Sequence, residues 1–389
     1  MLPRILHQLA LNRHWPLLLA VCVLACMGVV TIWADDPAAG KKQLVFFGVA
    51  FICMMGLQTV DYRILGKFGG LFYVGAALLI GYTILGSFIS VPGVTNRNGA
   101  FNWIDFGPFA LQPSELLKVG FIVVLARYLR FRSNYRTLVG LVPPFVLAAV
   151  PVLLILKQPD LGTALVFIPA LFAMLFVAGA KLKHLLGVVG MGAAMLPLMW
   201  LSGLEGVPVF EHMPSLVKNY QRERVYAMFN DDPDTLGDKG FQQQWALRAM
   251  GSGGIAGRGA GDIVVGRRVP ERKNDMIFSL IGEQFGFLGA FVVAGAYLTI
   301  FYVGLEIAGS TREPFGRLVA CGIVVILAAQ SFINLMVVMK LMPVTGVTLP
   351  FVSSGGSSLI ASFLSVGLLI NIGQSRPIVM ANDVFEYRD

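Results

Sequence analysis

The sequence predicts an all-α polytopic membrane protein: ten transmembrane helices, a large extracytoplasmic loop over 204–275 and a re-entrant segment over 340–356. Three observations carry this. Of 389 residues, 56% are hydrophobic and only 13% are charged, about half the charge of an ordinary soluble domain. Mean hydropathy is +0.73, more apolar surface than a soluble core of this length can cover. The apolar residues also fall in runs of about 20, the length that crosses the hydrocarbon layer as a helix. The same composition excludes disorder, and the runs lack the alternation of barrel strands.

In chain order the crossings fall at 15–33, 43–60, 69–90, 113–131, 137–156, 161–179, 185–203, 276–308, 317–339 and 356–375. Two are atypical. The run 113–131 carries Glu115 and Lys118, and 276–308 is too long for one straight crossing. The first run is too long for a signal peptide and lacks a small-residue cleavage site, so it is read as a span. The positive-inside rule gives orientation. With the N-terminus in the cytoplasm, 14 Lys/Arg fall in cytoplasmic segments and six on short outer loops or polar span positions. The other 10 sit in 204–275 beside 10 Asp/Glu, and a loop of that length is exempt from the rule. Both termini then face the cytoplasm.

Composition also narrows the chemistry. Cys22, Cys26, Cys53 and Cys321 lie inside apolar runs, and His7, His14, His184 and His212 are scattered. Neither a structural disulfide nor a metal site is expected from such spacing. No basic block with interleaved aromatics marks a nucleic-acid surface. No solenoid-like or inverted repeat is visible.

Polar groups at membrane depth are costly and so mark function. Here they gather in four outer segments. The first runs from Gly99 through Asn102, Trp103 and Asp105 to Gln112-Pro113-Ser114-Glu115-Leu116-Leu117-Lys118. Pro113 suits the first helical position and Glu115 the first turn. Glu115 and Lys118, spaced i,i+3, share a helix face. They are read either as a capping motif with a local ion pair or as cavity lining. In the second, Lys157-Gln158-Pro159-Asp160-Leu161-Gly162-Thr163, Asp160 is an N-cap or faces substrate.

The third segment is the large loop. It holds Tyr220-Gln221-Arg222-Glu223-Arg224, then Asp231, Asp232 and Asp234, then Gly251-Ser252-Gly253-Gly254. The acids lack calcium-loop spacing and read as a solvated turn. The glycines read as a turn before they read as a phosphate cradle. Asp275 closes the loop immediately before a strongly apolar run, as an N-cap or as a group at the outer membrane surface. Glu283 lies eight residues on, about 12 Å of helical rise away, so the two acids do not form the close pair of a retaining glycosidase. The fourth segment, 340–358, is apolar but interrupted by Pro343, Pro350, Gly346, Gly355 and Gly356. It reads as backbone packed inside protein and lining a cavity.

Five of these pieces, taken in order, resemble the SEDS family (shape, elongation, division and sporulation), of which RodA and FtsW are the main types. They are Gln112-Pro113-Ser114-Glu115-x-x-Lys118, Gln158-Pro159-Asp160-Leu161-Gly162-Thr163, Gly251-Ser252-Gly253-Gly254, Pro270-Glu271-x-x-x-Asp275-x-Ile277-Phe278 and Leu349-Pro350-Phe351-x-Ser353-x-Gly355-Gly356-Ser357. The likeness covers about 15 to 375. The short termini and the Tyr220-Gln221-Arg222-x-Arg224 stretch resemble the RodA type more. Lys273-Asn274, Ser354, Trp245-Ala246 and Asn102 depart from the family's usual residues.

The resemblance implies ten spans and a peptidoglycan glycosyltransferase that polymerises lipid II outside the bacterial cytoplasmic membrane. It implies a role in elongation and cell shape, with a class B penicillin-binding protein as partner. It makes Asp275 the essential acid and the expected base for the acceptor hydroxyl. Arg224 and Lys118 are expected on the pyrophosphate, with Glu115 holding Lys118. Asp160, Ser353, Gly355 and Gly356 complete the expected binding residues. No cofactor is assigned; a divalent cation, magnesium or manganese, near Asp160 stays open. Three other readings are kept: a flippase or transporter of a lipid-linked precursor, a non-catalytic scaffold, and an FtsW-type division polymerase.

Overall fold

The computed structural model describes residues 14–96, 99–107, 109–203, 215–229 and 238–374. Asp231, Asp232 and Asp234, His7 and His212, and the charged chain ends lie outside the described residues. Twelve helices account for nearly all the regular structure among them.

The helix α1 (Trp15–Asp35) turns directly into α2 (Pro37–Leu57). Asp36 makes that turn possible: its carboxylate accepts from the Ala38 and Ala39 amides at 2.9 and 3.2 Å, and Pro37 fills the first helical position, where its missing N–H costs nothing. After α3 (Tyr62–Leu85), residues Ile104–Asp105 (β1) pair antiparallel with Ala110–Leu111 (β2), a small hairpin that the apolar pattern does not announce. The following helices are α4 (Pro113–Phe131), α5 (Val142–Lys157), α6 (Leu161–Ala178) and α7 (Leu182–Leu201). The large loop contains two further helices, α8 (Asn219–Phe229) and α9 (Asp238–Ser252). The chain ends in α10 (Ile277–Ser310), α11 (Pro314–Val338) and α12 (Gly356–Gln374).

Nine of the described helices are long and apolar enough to cross a membrane. The tenth crossing read from the sequence is α4, which carries Glu115, Lys118, Arg127 and Arg130. Its charged residues are inside the protein or at its end, so the helix can be polar without exposing charge to lipid. The centre of the bundle is α12, which packs on α2 and α11, with α4 and α6 closing on α11. In contrast α7 packs lightly on α6 and meets α8 only at its end, and apolar Leu186, Met191 and Leu196 stay exposed, as a lipid-facing helix does.

The long run read at 276–308 is one helix by hydrogen bonding but two by geometry. Gly286 has φ 62° and breaks it. Only glycine takes that conformation cheaply. The freed backbone groups are satisfied by a neighbouring loop: Arg258 and Gly259 donate to the Glu283 and Gln284 carbonyls at 2.9 and 3.0 Å. Phe287 and Leu288 donate to Gly254 and Ile255 at 2.9 and 3.1 Å. Irregular backbone at this depth survives because protein repairs it. The glycine cluster serves that contact. A Cβ on Gly253 would lie 1.9 Å from the Gly282 carbonyl oxygen, and one on Gly257 2.2 Å from that of Gln284. Gly253 and Gly257 thus pack the loop against α10.

Candidate functional site

Four connecting stretches meet residues of α2 and α8 at one end of the bundle. They enclose a cavity of about 900 Å³. Its wall takes Lys42, Gln43 and Phe46 from α2; Asn96, Asn102 and Trp103 from the hairpin region; and Gln112 before α4. Gln158 and Asp160 come from before α6, Arg224 from α8, Glu271, Asn274 and Asp275 from before α10, and Thr345, Gly346, Thr348, Gly355 and Gly356 from the 340–356 segment.

Asp275 is half-buried and held from three sides. The turn that carries it closes locally, with the Asn274 amide donating to the Glu271 carbonyl at 2.9 Å and the Asn274 side chain to the Glu271 carboxylate at 2.6 Å. From α11, Asn334 Nδ2 donates to the Asp275 carbonyl and to that of Val347, both at 2.7 Å. From the 340–356 segment, Ser353 Oγ donates to the Asn274 carbonyl at 2.7 Å, and the Ser354 amide to the Lys273 carbonyl at 2.8 Å. Across the turn, Lys273 reaches Asp36 at 2.8 Å and Arg272 reaches Asp35 at 3.0 Å, tying the segment to the α1–α2 junction. The Lys273 ammonium and the Ala38 and Ala39 amides hold the Asp36 carboxyl below its usual range, because hydrogen bonds to the charged form favour it.

The helix α10 starts with Met276 at its N-cap and no side-chain cap. The capping role open to Asp275 in the sequence is therefore not the one it plays. Its carboxylate instead lies along Gly346, where φ is 81° and an added Cβ would sit 3.6 Å from Oδ2.

Asp160 is the N-cap of α6 and stands in the cavity wall. Its carboxylate accepts from the Thr163 amide at 3.0 Å and hydroxyl at 2.8 Å. Burial pushes its carboxyl above the ordinary range, against the two Thr163 hydrogen bonds and the Lys118 charge. Arg224 lines the cavity with one guanidinium nitrogen donating to the Val344 carbonyl at 3.0 Å. Its neighbour Arg222 is buried and donates to the Trp200 and Ser202 carbonyls, fastening α8 to the end of α7. Two arginines one turn-step apart thus do different work.

Glu115, Lys118 and Ser353 stand behind the wall. Lys118 Nζ lies 2.9 Å from the Glu115 carboxylate and 2.7 Å from Gln330 Oε1, and both charged residues are only 4% exposed. Gln330 in turn donates to the Thr348 carbonyl at 3.1 Å, so Lys118 reaches the cavity through two intermediaries. Ser353 is 4% exposed and accepts from the Leu349 amide at 2.8 Å while donating to Asn274. Glu283 is fully buried, its carboxylate accepting from the Val264, Val265 and Gly266 amides at 2.9, 2.7 and 2.6 Å.

Sequence reasoning placed Trp103 in the first polar segment but did not single out Lys42, Gln43, Thr345 or Thr348. Only Lys42 left a local signal, a cation just before an apolar run. Two buried oxygens in the wall, Asn102 Oδ1 and Thr345 Oγ1, have no hydrogen-bond partner, and such atoms mark places where a ligand or water is expected. Among the described residues, no three His, Cys, Asp or Glu side chains come together to hold a metal ion, so no step is derived through one.

Comparison with known proteins agrees with the motifs. The profile of the FtsW/RodA/SpoVE family, described as cell cycle protein, matches residues 8–377. Stage V sporulation protein E of Bacillus subtilis is 34% identical over 372 residues, covering 92% of this chain and 94% of that protein. A probable peptidoglycan glycosyltransferase FtsW of Geobacter sulfurreducens is 34% identical over 378 residues, with the same coverage. Among solved structures, one described as structural coordination of polymerization and crosslinking by a peptidoglycan synthase complex superposes with a TM-score of 0.76 at 30% identity, covering 94% of this chain and 98% of that one. The rod shape determining protein RodA of Thermus thermophilus superposes with a TM-score of 0.66 at 28% identity, covering 93% and 97%. The chain is a multi-pass membrane protein and belongs to the FtsW/RodA/SpoVE family, the SEDS proteins its motifs resemble.

Proposed function

We propose that this protein is a peptidoglycan glycosyltransferase. It transfers the growing glycan from its undecaprenyl-pyrophosphate carrier to lipid II on the outer face of the bacterial cytoplasmic membrane. The observation that carries the reading is the convergence of Asp275 and Arg224, from two parts of the large loop, and Asp160, from the α5–α6 connection, on one cavity with orphaned hydrogen-bonding oxygens. A cavity of about 900 Å³ is at the upper end of ligand-site volumes, as a lipid-linked disaccharide requires.

In the reaction a new glycosidic bond forms as the sugar–pyrophosphate bond breaks. Asp275 takes the proton from the attacking acceptor hydroxyl. Arg224 balances the charge left on the pyrophosphate, and Lys42 supplies a second cation on the opposite wall. Lys118, held by Glu115, fixes Gln330 and through it the Thr348 carbonyl, keeping the 340–356 segment against the turn of Asp275. Asn102 and Thr345 offer their oxygens to sugar hydroxyls. Ser353 holds the turn, and Gly355 and Gly356 let the wall approach the substrate closely. Both termini face the cytoplasm in this orientation, and a class B penicillin-binding protein cross-links the product.

The finer role is elongation, on the strength of the RodA-like Tyr220-Gln221-Arg222-x-Arg224 stretch. The SpoVE and FtsW names of the relatives at 34% identity favour division as the second reading. Depletion in the native cell separates them: rods that round up support elongation, and filaments support division. The activity itself is tested with purified protein and lipid II in detergent, beside a partner lacking transglycosylase activity. Polymer made there, and lost in Asp275→Ala with the partner still bound, supports the enzyme. No polymer from the wild type would favour a transporter or a scaffold.

A further inference from the structure

We infer that the exposed arginines around Trp245 form a binding face for the phosphate of an anionic phospholipid. Arg248 and Arg268 each place a guanidinium over the Trp245 ring, 5.1 and 4.6 Å from its centre. Arg258 and Arg267 are exposed beside them. Stacking on an aromatic face leaves the guanidinium donors pointing outward and removes part of the entropy cost of ordering them.

Depth is what identifies the ligand. The arginine-bearing loops are registered on Glu283: its carboxylate accepts from the Gly266 amide at 2.6 Å, and its carbonyl from the Arg258 amide at 2.9 Å. Just past the Gly286 break, Phe287 and Leu288 open the lipid-facing side of α10, 64% and 56% exposed. Their amides bond the Gly254 and Ile255 carbonyls, and Ile255 is 74% exposed. The backbone of both arginine-bearing loops thus meets α10 at Glu283, four residues before its first lipid-exposed side chain, Phe287. That is headgroup level, where tryptophan also belongs. Apolar side chains below and guanidiniums above repeat the order of acyl chain and phosphate.

The counter-charges are few. Between residues 245 and 272 the acids are Asp262, 3.6 Å from Arg258, and Glu271, which is bonded to Asn274. Arg272 is paired with Asp35, and the Glu283 carboxylate is occupied by backbone amides.

The test uses the purified full-length protein in phosphatidylcholine vesicles. Trace phosphatidylglycerol or phosphatidylcholine with a photoactivatable headgroup is irradiated, and the label is mapped by mass spectrometry. Phosphatidylglycerol should label residues 245–268 preferentially. Arg248→Gln with Arg268→Gln should lower that labelling roughly 30-fold, about fivefold for each arginine near the surface. The Arg248→Lys, Arg268→Lys pair keeps the charge and should retain most of the label, showing that the fold is intact. Equal labelling by both lipids, or undiminished labelling of the glutamine variant, would overturn the inference. So would displacement by stoichiometric undecaprenyl pyrophosphate but not by excess phosphatidylglycerol, which would assign the face to substrate.

Discussion

Two carboxylates eight residues apart have opposite fates. Asp275 is half-buried in the wall of a large cavity, beside a glycine and in a turn held by groups from the α1–α2 junction, α11 and the 340–356 segment. Glu283 is fully buried, and three backbone amides fill its oxygens. Both are acids at the edge of the same apolar run. The contrast teaches that burial alone does not make an acid functional. A buried carboxylate fully supplied with amides is a structural clasp, here closing the 264–266 turn on α10. One that stands in the wall of an open cavity is placed for chemistry.

The largest effects should separate these two. Asp275→Asn should remove roughly 10²–10⁴ of the polymerisation rate, the range of a lost general base, with an unchanged melting temperature. Glu283→Ala should do the reverse. Leaving three amides without a partner costs about 1 kcal/mol or more each, so folded yield in detergent should fall, and the residual folded fraction should still polymerise. If both variants lose activity and stability alike, the comparison fails.

Arg224→Lys sharpens the electrostatic side. An ammonium cannot hold the Val344 carbonyl and a phosphate in one planar fork, so kcat should fall about tenfold, the value of one charge-assisted hydrogen bond. Unchanged kcat would make Arg224 a structural clamp like Arg222. Lys273→Met tests the docking of the turn. The pair with Asp36 is exposed and screened by solvent, so kcat should drop only slightly, with little change in KM.

Acid sensitivity is the smallest effect. The Asp36 carboxyl is held below its ordinary value in the folded protein. Its contribution to stability is therefore present above the unfolded value of about 3.9 and is lost as pH falls through the lower, folded value. Thermal melts of the wild type and Asp36→Asn should differ at neutral pH and converge below about pH 4. Parallel curves down to strong acid would show that the Lys273 contact does not act through the charge of Asp36.

Much of this fold is legible in the sequence. Most helix ends fall within about three residues of the apolar runs because hydrocarbon thickness fixes their length, and Pro113 announces its helix start through its fixed φ; α2 and α3 begin at Pro37 and Tyr62, ahead of the runs read from 43 and 69. Asp275 stands out because it abuts an apolar run. What stays hidden depends on distant backbone. Gly286 looks like any glycine in an apolar run until loop 253–259 packs against it. Lys118 reads as a cavity cation, yet its partner Gln330 lies 212 residues away and no local pattern reveals that the two meet behind the wall. Lys42 reads as a loop charge until α2 and α12 bring it to the cavity.

The most direct test is the initial rate of glycan synthesis from lipid II by purified protein across pH, wild type beside Asp275→Asn. A wild-type rate that falls on the acid side as the carboxyl takes up its proton, and a variant that is slow and flat throughout, is the expected result. A variant polymerising within about twofold of the wild type, far less than a general base contributes, would contradict the assignment of Asp275 as the proton acceptor.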